Sequence, residues 1–177
     1  HAEGVLRLGT VGTETLVPGD TYTITVPTAA GGANTALTIS LVAQAYGHGD
    51  MAAANDTIKI STVVADTTAK LQAAIIGGIN ATGTPADLGY RLGANANISS
   101  GIAGLTASAA VGAGAAQVAI SLTATTKGTA GNGISIAASR GATRNSAVLS
   151  TNNMQGGLGT GGHGHVYSPV PGDRQKL

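Results

Sequence analysis

The side chains best suited to chemistry gather near the end of the sequence. His163 and His165 alternate with glycine in Gly162-His163-Gly164-His165. In an extended chain both imidazoles point to one side, where two ring nitrogens can share a metal ion. Two ligands leave such a site incomplete. His48, with Asp50 two residues on, could complete the set only by a long-range approach that the sequence does not encode. Solvated tail histidines are the plainer reading, and no metal or other cofactor is expected.

Gly128-Thr129-Ala130-Gly131-Asn132-Gly133 invites a phosphate-loop reading, because glycines expose backbone N–H groups to anions. Its context argues otherwise. A nucleotide fingerprint runs strand, loop, helix, whereas Ile134-Ser135-Ile136 continues as a strand and no Gly-Lys-Ser/Thr ending is present. The segment reads as the turn of a hairpin. There is no Gly-x-Ser-x-Gly elbow, and the eight carboxylates are scattered singly, so neither nucleophilic nor paired-acid catalysis has a visible constellation. The chain is expected not to be an enzyme. The Asn-x-Ser/Thr matches at Asn55, Asn80 and Asn97 carry no weight in a sequence this rich in Ser and Thr.

What remains is contact chemistry. Arg140 and Arg144 bracket Gly141 in a loop, where they could meet carboxylates on a neighbouring subunit or simply be solvated. Val5, Leu6 and Leu8 near the start, and Tyr167 in the tail, are the apolar points that could dock on a neighbour. Threonine faces at Thr21, Thr23 and Thr25, and again at Thr57 and Thr62, fit either a solvent-facing strand or a flat packed surface.

The elements that must carry these residues can be read from periodicity. Val5-Leu6-Arg7-Leu8 suits an edge strand or a docked arm. After the Pro18-Gly19-Asp20 turn, Tyr22, Ile24 and Val26 alternate with threonines, and Leu37, Ile39 and Leu41 alternate with Thr38 and Ser40, which predicts two strands able to pair as a hairpin. Ile58 and Ile60 mark another strand over 56–63. Leu71, Ile75 and Ile79 then fall on one helical stripe, with Asp66 or Thr67 as N-cap and Asn80 or Gly83 as the stop; Gly77-Gly78 weakens the helix. From Thr84 to Gly114, Tyr90, Leu92, Ile98, Ile102 and Leu105 are scattered without period. Ile120, Leu122 and Ala124 restore alternation, and 147–149 could add a short strand.

These elements predict an α+β, β-rich fold: an antiparallel sheet or small sandwich with one amphipathic helix over about residues 66–80 and extended terminal arms. Residues 1–158 are expected to form a single domain, made of a strand block (1–50) and a helix-containing module (54–158). A Gly- and Pro-containing arm (159–177) follows. The sequence opens on His1 without an initiator Met, which a processed or trimmed start would explain.

Composition narrows the function classes. Of the 177 residues only 10% are charged, the net charge is +1, and there are 28 glycines but no Phe, Trp or Cys. A nucleic-acid footprint needs a basic stripe, and none exists. No apolar run reaches the roughly 18 residues of a membrane helix, and the lack of Cys excludes disulfides and thiolate metal sites. A domain with so little charge disperses poorly alone and is expected to bury surface against copies of itself or partners.

The order Ala54-Asn55-Asp56-Thr57-Ile58, Asp66-Thr67-Thr68-Ala69, Ile79-Asn80-Ala81, Ile120 to Ala124, Lys127-Gly128-Thr129-Ala130-Gly131-Asn132-Gly133-Ile134 and Gln155-Gly156-Gly157 resembles a small α+β module of tailed-phage virion proteins, notably one domain of contractile tail sheath subunits. The resemblance covers roughly 54–158, and its most specific piece is the Thr-Lys-Gly-Thr-Ala-Gly-Asn turn. It implies a non-enzymatic, repeated structural subunit of a phage virion or phage-tail-like assembly, tail-associated, contacting copies of itself and other virion proteins and assembled in the host cytoplasm. Two alternatives are a decoration protein of a phage head and a secreted or surface-layer adhesive module on the cell exterior. The chain is far shorter than a full sheath subunit.

Overall fold

The computed structural model describes residues 1–10, 17–27, 34–110, 117–139 and 154–157. Alternating apolar residues form strands here because successive side chains of an extended chain point to opposite faces, so one face can be buried whole. In chain order the elements are β1 (Glu3–Thr10), β2 (Thr21–Val26), β3 (Thr35–Val42), a 3-10 turn (Gly49–Met51), β4 (Thr57–Ser61), α1 (Thr68–Asn80), α2 (Pro85–Leu88), β5 (Tyr90–Leu92), β6 (Leu105–Ala109), β7 (Gln117–Ala124), a second 3-10 turn (Thr129–Gly133) and β8 (Ser135–Ser139). The fold is α+β and β-rich.

Two sheets result. One has three strands in the order β1-β7-β6, all antiparallel; the other has five in the order β5-β4-β3-β2-β8. β2 and β3 pair antiparallel as the sequence predicts, but β4 lies parallel to β3, so the larger sheet is mixed. The stretch from Ile120 to Ile136 departs from the expected hairpin. β7 belongs to the smaller sheet and β8 pairs with β2 in the larger one, so the Gly-Asn-Gly turn carries the chain from one sheet to the other.

α1 packs on β4 and β5 of one sheet and on β6 and β7 of the other. Its stripe of Leu71, Ile75 and Ile79 is buried in one apolar cluster with Ile39, Ile58 and Ile60 from the larger sheet and Leu6, Ile120 and Leu122 from the smaller. Each fully buried Leu or Ile contributes roughly 1.5–3 kcal/mol relative to exposure. Thr67 is the N-cap, its side chain accepting from the Lys70 N–H at 3.3 Å.

Gly77 and Gly78 prove to be contact residues as well as weak helix formers. A Cβ on Gly77 would lie 2.8 Å from Leu88 Cδ1 of α2 and 2.9 Å from Tyr90 Cε1 of β5, and one on Gly78 would lie 2.8 Å from Ile58 Cγ2, so their absence lets the helix backbone settle against α2 and the sheet. The helix stops at the first of the two expected residues, Asn80. Ala81 takes the left-handed conformation (φ 51°), while Asn80 is the last helical residue and turns its side chain to β6. The unpatterned points Tyr90, Ile98, Ile102 and Leu105 are all buried in the core, and Leu92 packs against it.

Candidate assembly surface

The outer faces of the two sheets follow from the same alternation that builds the core. Every second residue leaves the cluster, and strand register aligns these residues into rows. Across the larger sheet one outer row reads Arg91, Lys59, Ser40, Thr21, Ser139, and the next reads Thr57, Thr38, Thr23, Ala137. On the smaller sheet the rows are Glu3, Thr123, Thr106 and Val5, Ser121, Ser108. Both faces are therefore paved with short hydroxyl side chains. Their charges sit at particular spots.

Lys59 on β4 stands directly opposite Arg91 on β5. Like charges so placed cost about 0.2–1 kcal/mol, and no carboxylate offsets them: among the described residues the ion pair is Lys70 with Asp66, both exposed. Each cation is held in place by another contact. The Lys59 ammonium donates to the Asp50 carbonyl, and the Arg91 guanidinium lies 5.6 Å from the centre of the Tyr46 ring, a cation–π geometry. Just inside, burial pushes the Tyr90 phenol above its ordinary pKa, with Tyr46 adding to the shift, and the hydroxyl donates to the Thr82 carbonyl at 3.1 Å.

The sequence-derived candidates are placed as follows. β1 is an edge strand. Leu6 points inward and is completely buried, so its area belongs to this chain's own core, whereas Val5 is half-buried on the outer face. Leu8 lies in β1. His48 is exposed, immediately before the first 3-10 turn, where its carbonyl accepts from Met51 N–H at 2.9 Å. Among the described residues no group of three or more His, Asp or Glu side chains could hold a metal ion. Arg140, Arg144, His163, His165 and Tyr167 lie outside the described residues, as does the short strand expected at 147–149.

The glycine-rich turn has a different partner from the one its composition suggests. Asn132 pairs with the backbone of Gly157 twice, donating to its carbonyl at 3.0 Å and accepting from its N–H at 2.9 Å. Gln155 meanwhile bridges Glu3 through two backbone bonds of 2.7 and 3.0 Å, and Met154 N–H donates to the Ile134 carbonyl. Residues 154–157 are thus a strap across the start of β1. Asn132→Ala removes both bonds to Gly157. The expected result is faster amide exchange at Gly157 and Gln155 and a loss of about 1–3 kcal/mol in urea unfolding, with the helix amides unaffected below global unfolding.

Sequence reasoning passed over the Lys59–Arg91 pair. Lys59 between Ile58 and Ile60, and Arg91 between Tyr90 and Leu92, are both outward by alternation. Their juxtaposition needs the β4–β5 register, which no local pattern supplies. No helix among the described residues is long and apolar enough to cross a membrane. Comparison with protein-family models, curated proteins and solved structures gives no match.

Proposed function

We propose that the chain is a non-enzymatic structural subunit that acts by repeated contact with copies of itself, in the tail of a phage virion or in a phage-tail-like assembly. The observation that carries the reading is the pair of outward sheet faces, each an aligned pavement of Ser, Thr and small apolar residues over a well-filled core. Such faces offer contact area with little side-chain entropy to lose, and repetition lets modest contacts add through avidity. The tail assignment rests on the sequence resemblance. Its most specific piece, the turn over 126–132, meets the 155–157 piece here through Asn132 and Gly157.

Light scattering coupled to size exclusion, with negative-stain imaging of the same fractions, tests the reading. Mass that rises with concentration toward regular rings, tubes or filaments is expected. A monodisperse monomer at the highest attainable concentration would overturn it.

A further inference from the structure

The cationic pair on the larger sheet has a complement elsewhere on this chain. Among the described residues Lys59 and Arg91 face each other without an ion-paired carboxylate, each braced by a neighbour, at one end of a hydroxyl-paved face. Arg91 presents a planar fork suited to a carboxylate. Among the described residues, Asp20 is buried, Asp66 is tied to Lys70, and Asp56 accepts from Asn95. Asp50 lies at the cationic end itself, since its backbone carbonyl takes the Lys59 ammonium, so its carboxylate offers no second face. Away from that end, and among the described residues, Glu3 and Asp87 are the exposed carboxylates with neither an ion pair nor a side-chain hydrogen bond. Asp87 sits in the short α2, whereas Glu3 lies on a sheet face.

Glu3 also borders a shallow hollow of about 350 Å³ on the smaller sheet, lined by Val5, Ser121 and Thr123 beside it. Arg7, further along β1, is exposed, so the Glu3 end is the acidic end of that face. We propose that the Lys59–Arg91 pair of one copy receives the Glu3 carboxylate of the next, with the Tyr46-backed Arg91 entering the hollow beside it. The contact joins two different faces. Copies therefore add head to tail, which closes into a ring or continues as a filament according to the rotation per step. This inference rests on the self-assembly reading above and names the contact behind it.

Charge exchange tests it in the full chain. K59E/R91E and E3K are purified separately, shown to be folded by circular dichroism, and compared with wild type by sedimentation. Each alone is expected to associate about tenfold more weakly or worse, because like charges then meet across the contact, and raised salt is expected to weaken the wild type. An equimolar mixture of the two variants is expected to recover association, since every contact between unlike copies again pairs opposite charges. Wild-type association by K59E/R91E would overturn the contact while leaving self-assembly standing. So would an unaffected E3K, including the case where D87K is the variant that dissociates, or a mixture that fails to recover. A wild type monomeric at every concentration would overturn both readings.

Discussion

Gly93→Ala is expected to cost about 3 kcal/mol or more, lowering the midpoint of thermal unfolding by roughly 6–12 °C for a domain of this size. Gly93 is buried directly after β5, and a Cβ there would lie 2.7 Å from the Asn55 carbonyl carbon and closer still to the carbonyl oxygens of Ala54 and Asn55. The obstacle is backbone, which cannot swing aside as a side-chain tip can. It is also pinned. The Ala54 carbonyl accepts from Thr57 N–H at 2.9 Å, the Asn55 carbonyl accepts from Asn95 N–H at 3.0 Å, and Gly93 N–H itself donates to Thr57 at 2.9 Å. Making room for one methyl group therefore means breaking the bonds that fix the start of β4. Ala94→Ser, one residue away and exposed, is the control and should change stability by no more than about 0.5 kcal/mol. Scanning calorimetry of the two variants beside wild type decides it; equal small shifts would show that the 54–57 turn yields.

Asn80→Leu ranks second, with an expected loss of about 2–4 kcal/mol. The Asn80 amide donates to the Ala107 carbonyl at 2.7 Å and its oxygen accepts from the Ala107 N–H at 2.7 Å, reproducing with one side chain the pairing that a neighbouring strand would provide. β6 is at the edge of its sheet and Ala107 is buried, so leucine of similar volume leaves two backbone groups unpaired at roughly 1–3 kcal/mol each. A second effect follows from the same bonds. An edge strand with free N–H and C=O groups is a template for intermolecular pairing, and the variant should aggregate on warming at concentrations where wild type does not.

Asn80→Asp separates the two bonds by pH. Only the protonated carboxyl can donate to the Ala107 carbonyl, so folding raises that group's pKa. The restored stability is present in full below the unfolded value of about 3.9 and is lost as pH rises through the folded value. Urea midpoints for the aspartate variant, corrected by wild type at each pH, should thus fall from acid toward neutrality. A flat profile would remove the argument from donation.

Elements built on contrast between large apolar and polar residues were legible in the sequence. Tyr22 and Ile24, Leu37 to Leu41, Ile58 and Ile60, and Ile120 and Leu122 each mark a strand, and Leu71, Ile75 and Ile79 mark the helix, because each set has bulk on one face only. β5 is three residues long and cannot show a period, while Leu105-Thr106-Ala107-Ser108-Ala109 has too little bulk after its first residue to stand out. The Gly131-Asn132-Gly133 turn misled for another reason. Turn chemistry reports that the chain bends but not which sheet it bends toward, and here Gly131 closes against Ala2 and Ala124 while β8 leaves for β2. The candidate contact residues divide the same way. Alternation puts Lys59 and Arg91 outside; only register brings them together.

The bridge between Glu3 and Gln155 decides how this domain carries tension. Pull on the chain at those two points and the load falls first on two adjacent backbone bonds, with the Asn132 clamp and the Met154–Ile134 bond next in line. The bonds would part in succession, as a zip opens, and Met154 would be the first side chain drawn from the apolar interior. Under load the chain would thus open at this seam first.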